Sequence, residues 1–151
     1  MNRCFLMGHS DAPNELLPSL SAEIERHITE LGVIEFLVGS HGRFDALAAK
    51  ALADAKKRHS QVTLTLLLAY HPGERPVKLP DGFDGSFYPP DMEKVPRRLA
   101  IVRANRYAAD NCDFLIAYVW QPGSNTRKLV EYAQGRERRG LIHVTVLPKC
   151  T

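Results

Sequence analysis

The chain has 151 residues, 44% of them hydrophobic and 25% charged, with a formal net charge of +3. That length suits one domain able to bury well over half of its unfolded surface, and the composition is that of an ordinary globular protein rather than a disordered or fibrous one. The longest apolar runs are too short to cross a bilayer, and the modest positive charge admits a phosphorylated small ligand while arguing against a dedicated nucleic-acid binder.

Met1-Asn2-Arg3 is followed by only a short apolar run before Gly8-His9. This is too little for the apolar core of a signal peptide, so the cytoplasm is the expected location. Cys4, Cys112 and Cys150 are widely spaced and form no Cys-x-x-Cys pair, which supports neither a disulfide framework nor a zinc site. No metal and no motif-encoded cofactor is expected.

Arg3 to Met7 reads as a first strand ending at Gly8-His9-Ser10, where Gly8 permits a sharp turn. Asp11-Ala12-Pro13-Asn14 is turn chemistry. Leu20, Ile24, Ile28 and Leu31 then recur at helical spacing up to Gly32, a C-terminal cap, with Pro18 near the first turn. Val33 to Val38 is a second strand. Directly after it comes Gly39-Ser40-His41-Gly42-Arg43-Phe44-Asp45, in which Gly39 and Gly42 allow close backbone approach and Ser40 offers a hydroxyl. Arg43 offers a guanidinium fork for phosphate, and Asp45 can cap the next helix or bind a ribose hydroxyl. His41 reads as an exposed loop residue. The helix from Ala46 to about His59 has an alanine-rich apolar face, and Gln61 to Ala69 is a third buried strand.

Between Tyr70 and Pro90 the pattern lapses. Pro72, Pro76, Pro80, Pro89 and Pro90 exclude a regular helix there, and a loop of this length at a sheet edge suits either a lid or an irregular surface excursion. Arg97 to Tyr107 reads as a basic helix carrying Arg103 and Arg106. Asp113 opens the fourth strand, Phe114 to Trp120, and is structural by its place at the amino end. Gln121 then starts a turn of small residues, Pro122, Gly123, Ser124 and Asn125, after which Thr126 is read as the cap of a helix bearing Leu129, Val130 and Ala133. Ile142 to Leu147 is a last strand.

Five strands alternating with helices predict a single α/β domain, a five-stranded parallel sheet with helices on both faces. The expected strand order is 3-2-1-4-5. It places the topological switch between strands 1 and 4, so that Gly8-His9 and Pro122 to Thr126 face each other across a crevice with the Gly39 loop beside them. A buried strand, a small-residue turn and a helix start leave backbone N–H groups unpaired at the carboxyl edge of the sheet, where phosphate is stabilised.

At these three corners, over roughly Arg3 to Leu147, the chain resembles the SLOG superfamily. This Rossmann-like group joins the Smf/DprA DNA-processing proteins and the LOG phosphoribohydrolases, and the chain is most similar to its small stand-alone YspA/YpsA-like branch. Phe5-Leu6-Met7-Gly8-His9 resembles the branch's Gly-His motif, and Gly39 to Asp45 resembles its Gly-Gly-x-x-Gly-Phe-Asp loop. Asn105-Arg106, Asp113, Thr126 and Val130-Glu131-Tyr132-Ala133 resemble its third block. The resemblance implies binding or sensing of a nucleotide-like small molecule, and suggests homo-oligomers. It points to Gly8, His9, Ser10, Gly39, Ser40, Gly42, Arg43, Asp45, Arg106, Gly123, Ser124, Asn125 and Thr126 as ligand and phosphate contacts. The alternative it implies is hydrolysis of the N-glycosidic bond of a nucleoside monophosphate, with Glu131 and Asp45 as the candidate catalytic carboxylates. Here the chain departs from the hydrolases. Ser10 stands where the branch has Arg after Gly-His, the Pro122 to Thr126 turn is one residue shorter than Pro-Gly-Gly-x-Gly-Thr-x-x-Glu, and Leu129 occupies the glutamate position. Glu131 lies about 200° further round the helix. Single-strand DNA binding in the DprA manner is the third reading, with no aromatic and basic groove signature to support it.

Overall fold

The computed structural model describes residues 2–150. Six parallel strands form one sheet: β1 (Arg3–Gly8), β2 (Glu35–Val38), β3 (Thr63–Leu67), β4 (Gly85–Phe87), β5 (Phe114–Tyr118) and β6 (His143–Val146). Helices α1 (Leu17–Thr29), α2 (Arg43–Arg58), α3 (Ala100–Asn111) and α4 (Asn125–Arg138) lie in four of the five connections, and β3 runs to β4 through residues 68–84 without a helix. The strand order is β4-β3-β2-β1-β5-β6.

The five strands read from the sequence thus keep their relative order, and the expectation of five is corrected to six by the short edge strand β4. Its three residues are half-buried to exposed, so no hydrophobic pattern announces it. Backbone bonds hold it instead. The Asp84 N–H donates to Leu64 O at 2.9 Å, the Leu64 N–H donates to Asp84 Oδ2 at 2.8 Å, and the Leu68 N–H donates to Phe87 O at 2.8 Å. Lys56 pairs with the same Asp84 carboxylate, which holds its pKa below the ordinary value.

Strand alternation divides the core into two layers. Cys4, Leu6, Phe36, Val38, Ile116 and Tyr118 pack with Leu20, Ile24 and Ile28 of α1 and Phe44, Ala48 and Leu52 of α2. Phe5, Met7, Leu37, Leu115 and Ala117 pack on the other side with Ala104 and Ala108 of α3 and Val130 and Ala133 of α4. Alanines on α2 and α3 let those helices lie close to the strands. Helix α1 ends where Gly32 takes a φ of 69°, with the Val33 N–H donating to His27 O at 3.0 Å. Asp113 accepts the Arg3 N–H at 3.1 Å at the sheet edge opposite the crevice, a structural role. None of the helices is long and apolar enough to cross a membrane among the described residues.

His27 is a polar group in the α1 layer, fully buried. Its Nδ1 lies 2.8 Å from Glu23 O, which fixes the hydrogen on Nδ1 and leaves Nε2 a buried acceptor with no partner among the described residues. Burial accordingly lowers its pKa. His27→Leu is expected to raise stability by about 1 kcal/mol, because a desolvated acceptor is replaced by an apolar group of similar bulk. Urea unfolding of the two proteins checks this.

The crossovers place α1 and α2 on one face of the sheet and α3 and α4 on the other. The change of face falls between β1 and β5, so the connections at their carboxyl ends diverge and leave a crevice.

Candidate functional site

A cleft of about 490 Å³ occupies that crevice. Gly8 at the end of β1 and His9, Ser10 and Asp11 of the turn after it line the cleft on one side; Gly39 and His41 of the turn after β2 and Asp45 of the first turn of α2 line it on another; and Gln121 and Ser124 of the turn after β5, with Asn125 and Thr126 at the start of α4, on a third. Leu129 of α4 and Arg98, Ile101, Val102 and Asn105 around the start of α3 complete the wall. The three glycine-containing corners therefore share one cavity.

The first two turns interlock. A Cβ on Gly8 would stand 2.5 Å from the ring of Phe44, and one on Gly42 would stand 2.6 Å from Ser10 Cα. The Arg43 N–H donates to Ser10 O at 2.9 Å. Gly8 thus makes room for the Phe44 ring, and Gly42 for the Ser10 backbone. Ser40 and Gly42 line a second, more open groove of about 740 Å³ along the exposed face of α2, which meets the cleft at Gly39 and Asp45.

In the third turn Gly123 adopts a φ of 76°, and the helix cap is Ser124, not Thr126. Ser124 Oγ accepts the Arg127 N–H at 3.0 Å and donates to Gln121 O at 3.1 Å. Thr126 falls in the first turn of α4, and the Asn125 and Thr126 amides have no acceptor among the described residues. Gly123 itself lies outside the cleft lining.

His9 is 5% exposed, and its Nε2 accepts two backbone hydrogens, from Trp120 N at 3.0 Å and Gln121 N at 3.2 Å. Burial lowers its pKa, so the ring is neutral near pH 7. Asp45 Oδ2 accepts the His41 N–H at 2.9 Å, and burial pushes the Asp45 carboxyl up to about 6. Burial and the Arg75 charge lower the pKa of His41.

Two arginines expected at the ligand point elsewhere. Arg43 donates from Nε to Ala12 O at 3.2 Å and bonds Asn14 Oδ1, tying the turn after β1 to α2. Arg106 is exposed on α3, its guanidinium stacked 4.0 Å above the Tyr132 ring. The cation lining the cleft is Arg98, exposed and without an ion-pair partner among the described residues. Glu131 is exposed and outside the cleft, whereas Leu129 lines it. None of residues 70–90 lines this cleft. The proline-rich stretch carries β4, its Pro80, Asp81 and Gly82 close the α2 groove instead, and Tyr70 pins its start between Arg75 at 4.2 Å and Arg97 at 5.7 Å. Spacing alone did not reveal Arg98, Asn105, Gln121 or Leu129 as cleft residues. The signals were present: Pro96 just ahead of a basic helix start, and Gln121 just ahead of Pro-Gly.

No family model matches the chain, and neither does any curated protein. Among solved structures, the chain is similar to DNA processing protein A (DprA) from Streptococcus pneumoniae, with a TM-score of 0.69 and 15% identity. The fold is DprA-like. The match covers 99% of this chain and 51% of that one, so the chain spans about half the length of DprA. At this identity the likeness is one of fold.

Proposed function

We propose that the cleft binds a nucleotide or a nucleotide-derived ligand. The observation that carries this reading is the pair of unpaired amides of Asn125 and Thr126 at the start of α4, opening onto the same cavity as the Asp45 carboxylate. The helix end and its amides suit a phosphate, with Arg98 offsetting charge at the mouth. Asp45, with one oxygen held by His41 N, suits the hydroxyls of a sugar. Ile101, Val102 and Leu129 offer an apolar wall for a base. The Gly-His and Gly39 to Asp45 motifs support placing the chain near the small stand-alone SLOG branch; the DprA-like fold bears on the wider superfamily and not on the branch.

The second reading is N-glycosidic hydrolysis. It rests on Asp45, whose raised pKa suits proton transfer near neutral pH. Leu129 in the glutamate position and Glu131 outside the cleft favour binding over cleavage. DprA is described as a DNA-processing protein, but Arg98 is the one cation lining this cleft among the described residues, which fits a ligand of mononucleotide size better than a tracked strand.

Incubation with millimolar nucleoside 5′-monophosphates is expected to raise the melting temperature by several degrees, with no free base released on chromatography. A melting temperature unmoved by every nucleotide would remove the reading, and release of base would replace it with the hydrolase.

A further inference from the structure

His9 joins the two sides of the crevice. Its imidazole leaves the end of β1, crosses the switch point, and accepts at Nε2 the amide hydrogens of Trp120 and Gln121, 3.0 and 3.2 Å away. A ring nitrogen that accepts carries no proton, so the neutral ring holds its hydrogen on Nδ1. Gln121 is gripped again at its carbonyl, which accepts the Ser124 hydroxyl, and the same hydroxyl accepts the Arg127 N–H. One chain of bonds thus runs from His9 through Gln121 and Ser124 into the first turn of α4, where the Asn125 and Thr126 amides stand free. The Tyr118 and Trp120 rings meet the imidazole edge-on at 6.1 and 5.8 Å and leave it little room to turn.

We propose that His9 is the positioning residue of the anion-binding turn and its proton switch: neutral, it fixes residues 120–124 and with them the α4 amides, and protonated, it releases them. Protonation puts a hydrogen on Nε2, which then faces two N–H donors with no acceptor between them. The inference rests on the reading that these amides hold a phosphate. The charged groups around His9 divide in sign. Asp11, from the turn after β1, favours the proton; Arg127 of α4 disfavours it. Lys149, from the segment after β6, lies 4.3 Å above the Trp120 ring. Burial is the largest influence and disfavours the proton. With the folded pKa held below the ordinary 6.5, the clamp is intact above about pH 6.5 and is lost as pH falls through the folded value.

Trp120 is the single tryptophan of the chain, so its emission reports the clamp without any ligand. In the ligand-free protein, emission is expected to titrate between pH 8 and 5 as a one-proton event. The event should persist in Asp45→Asn and vanish in His9→Gln, whose side-chain oxygen accepts where Nε2 does. For adenosine 5′-monophosphate, the ratio of wild-type to His9→Gln affinity is expected near one at pH 8 and to fall at least fivefold by pH 5, the phosphate's own titration cancelling in the ratio. An unchanged emission titration in His9→Gln, or a ratio independent of pH, overturns the proposal. If the nucleotide binds neither protein at pH 8, the phosphate reading fails by itself, and the emission titration still decides the switch. Should His9→Gln not fold, nitrogen NMR of the wild-type imidazole decides: the Nδ1–H form supports the clamp and the Nε2–H form overturns it.

Discussion

Gly8→Ala is expected to destabilise the protein by about 2–3 kcal/mol, or roughly 5–10 °C in melting temperature. The added Cβ would stand 2.5 Å from both Cγ and Cδ1 of Phe44 and 3.1 Å from its Cβ. These atoms are the near end of a side chain that is fully buried in the first turn of α2, so no rotation about χ2 clears the clash. Backbone must move, and the backbone available is the end of β1 and the start of α2, two walls of the cleft. The same substitution should therefore weaken nucleotide binding as well as the fold. Gly8→Ala combined with Phe44→Leu should recover part of the loss, since the smaller side chain vacates the space. Gly123→Ala is the useful contrast. Nothing lies within 4 Å of a Cβ there, and only the left-handed φ of 76° opposes it, which costs about 1 kcal/mol. Urea unfolding of the variants ranks them, and a Gly8→Ala loss under about 0.5 kcal/mol would mean that Phe44 has room that the geometry denies.

The strands were legible because a parallel sheet covered on both faces demands near-continuous apolar runs, and Cys4 to Met7, Phe36 to Val38, Leu66 to Ala69 and Phe114 to Tyr118 are such runs. Their order followed from right-handed crossovers. Strand β4 escaped because an edge strand of three half-buried to exposed residues has no periodicity to show; a salt bridge and backbone bonds to β3 make it. The location of the cleft was legible for the same reason as the strand order, since three small-residue turns at the carboxyl ends of neighbouring strands must gather at the switch. The direction of a long side chain was not. Arg43 sits in the expected loop, but the Ala12 carbonyl and Asn14 claim its guanidinium, and Arg106 finds the face of Tyr132. Sequence spacing gives a residue's place along the chain; which acceptor captures a flexible cation depends on what the turn brings within reach. His9 illustrates the converse. Its position marked it as a site residue, while its bonds to the Trp120 and Gln121 amides reach the turn after a strand more than a hundred residues away.

Asp45→Asn is expected to stabilise the protein at pH 8 by on the order of 2–3 kcal/mol while weakening ligand binding. Burial raises the carboxyl from 3.8 to about 6, so the folded protein holds this proton more tightly than the unfolded chain. Between those two values the folded state carries more protons, and stability declines as pH rises. Above about pH 6 the full cost of a buried charge is present, and below 3.8 it is absent. Asparagine keeps an oxygen for the His41 N–H and carries no charge, so its advantage should vanish on acidification. His9 works in the opposite sense, since its depressed pKa removes stability as pH falls below about 6.5. His27 and His41, lowered likewise by burial, act in the same sense as His9; in the wild type these losses are partly offset by Asp45 between pH 6.5 and 5, and in Asp45→Asn they stand without that offset. Denaturant unfolding from pH 4 to 8 should therefore show Asp45→Asn falling more steeply with acid than the wild type and meeting it near pH 4. Equal stability of the two proteins at pH 8 would mean that the carboxylate is already solvated in the cleft. A carboxylate kept where it destabilises the fold, at the edge of a cavity with one oxygen held by a backbone amide, is what a group that meets a ligand's hydroxyl or proton requires.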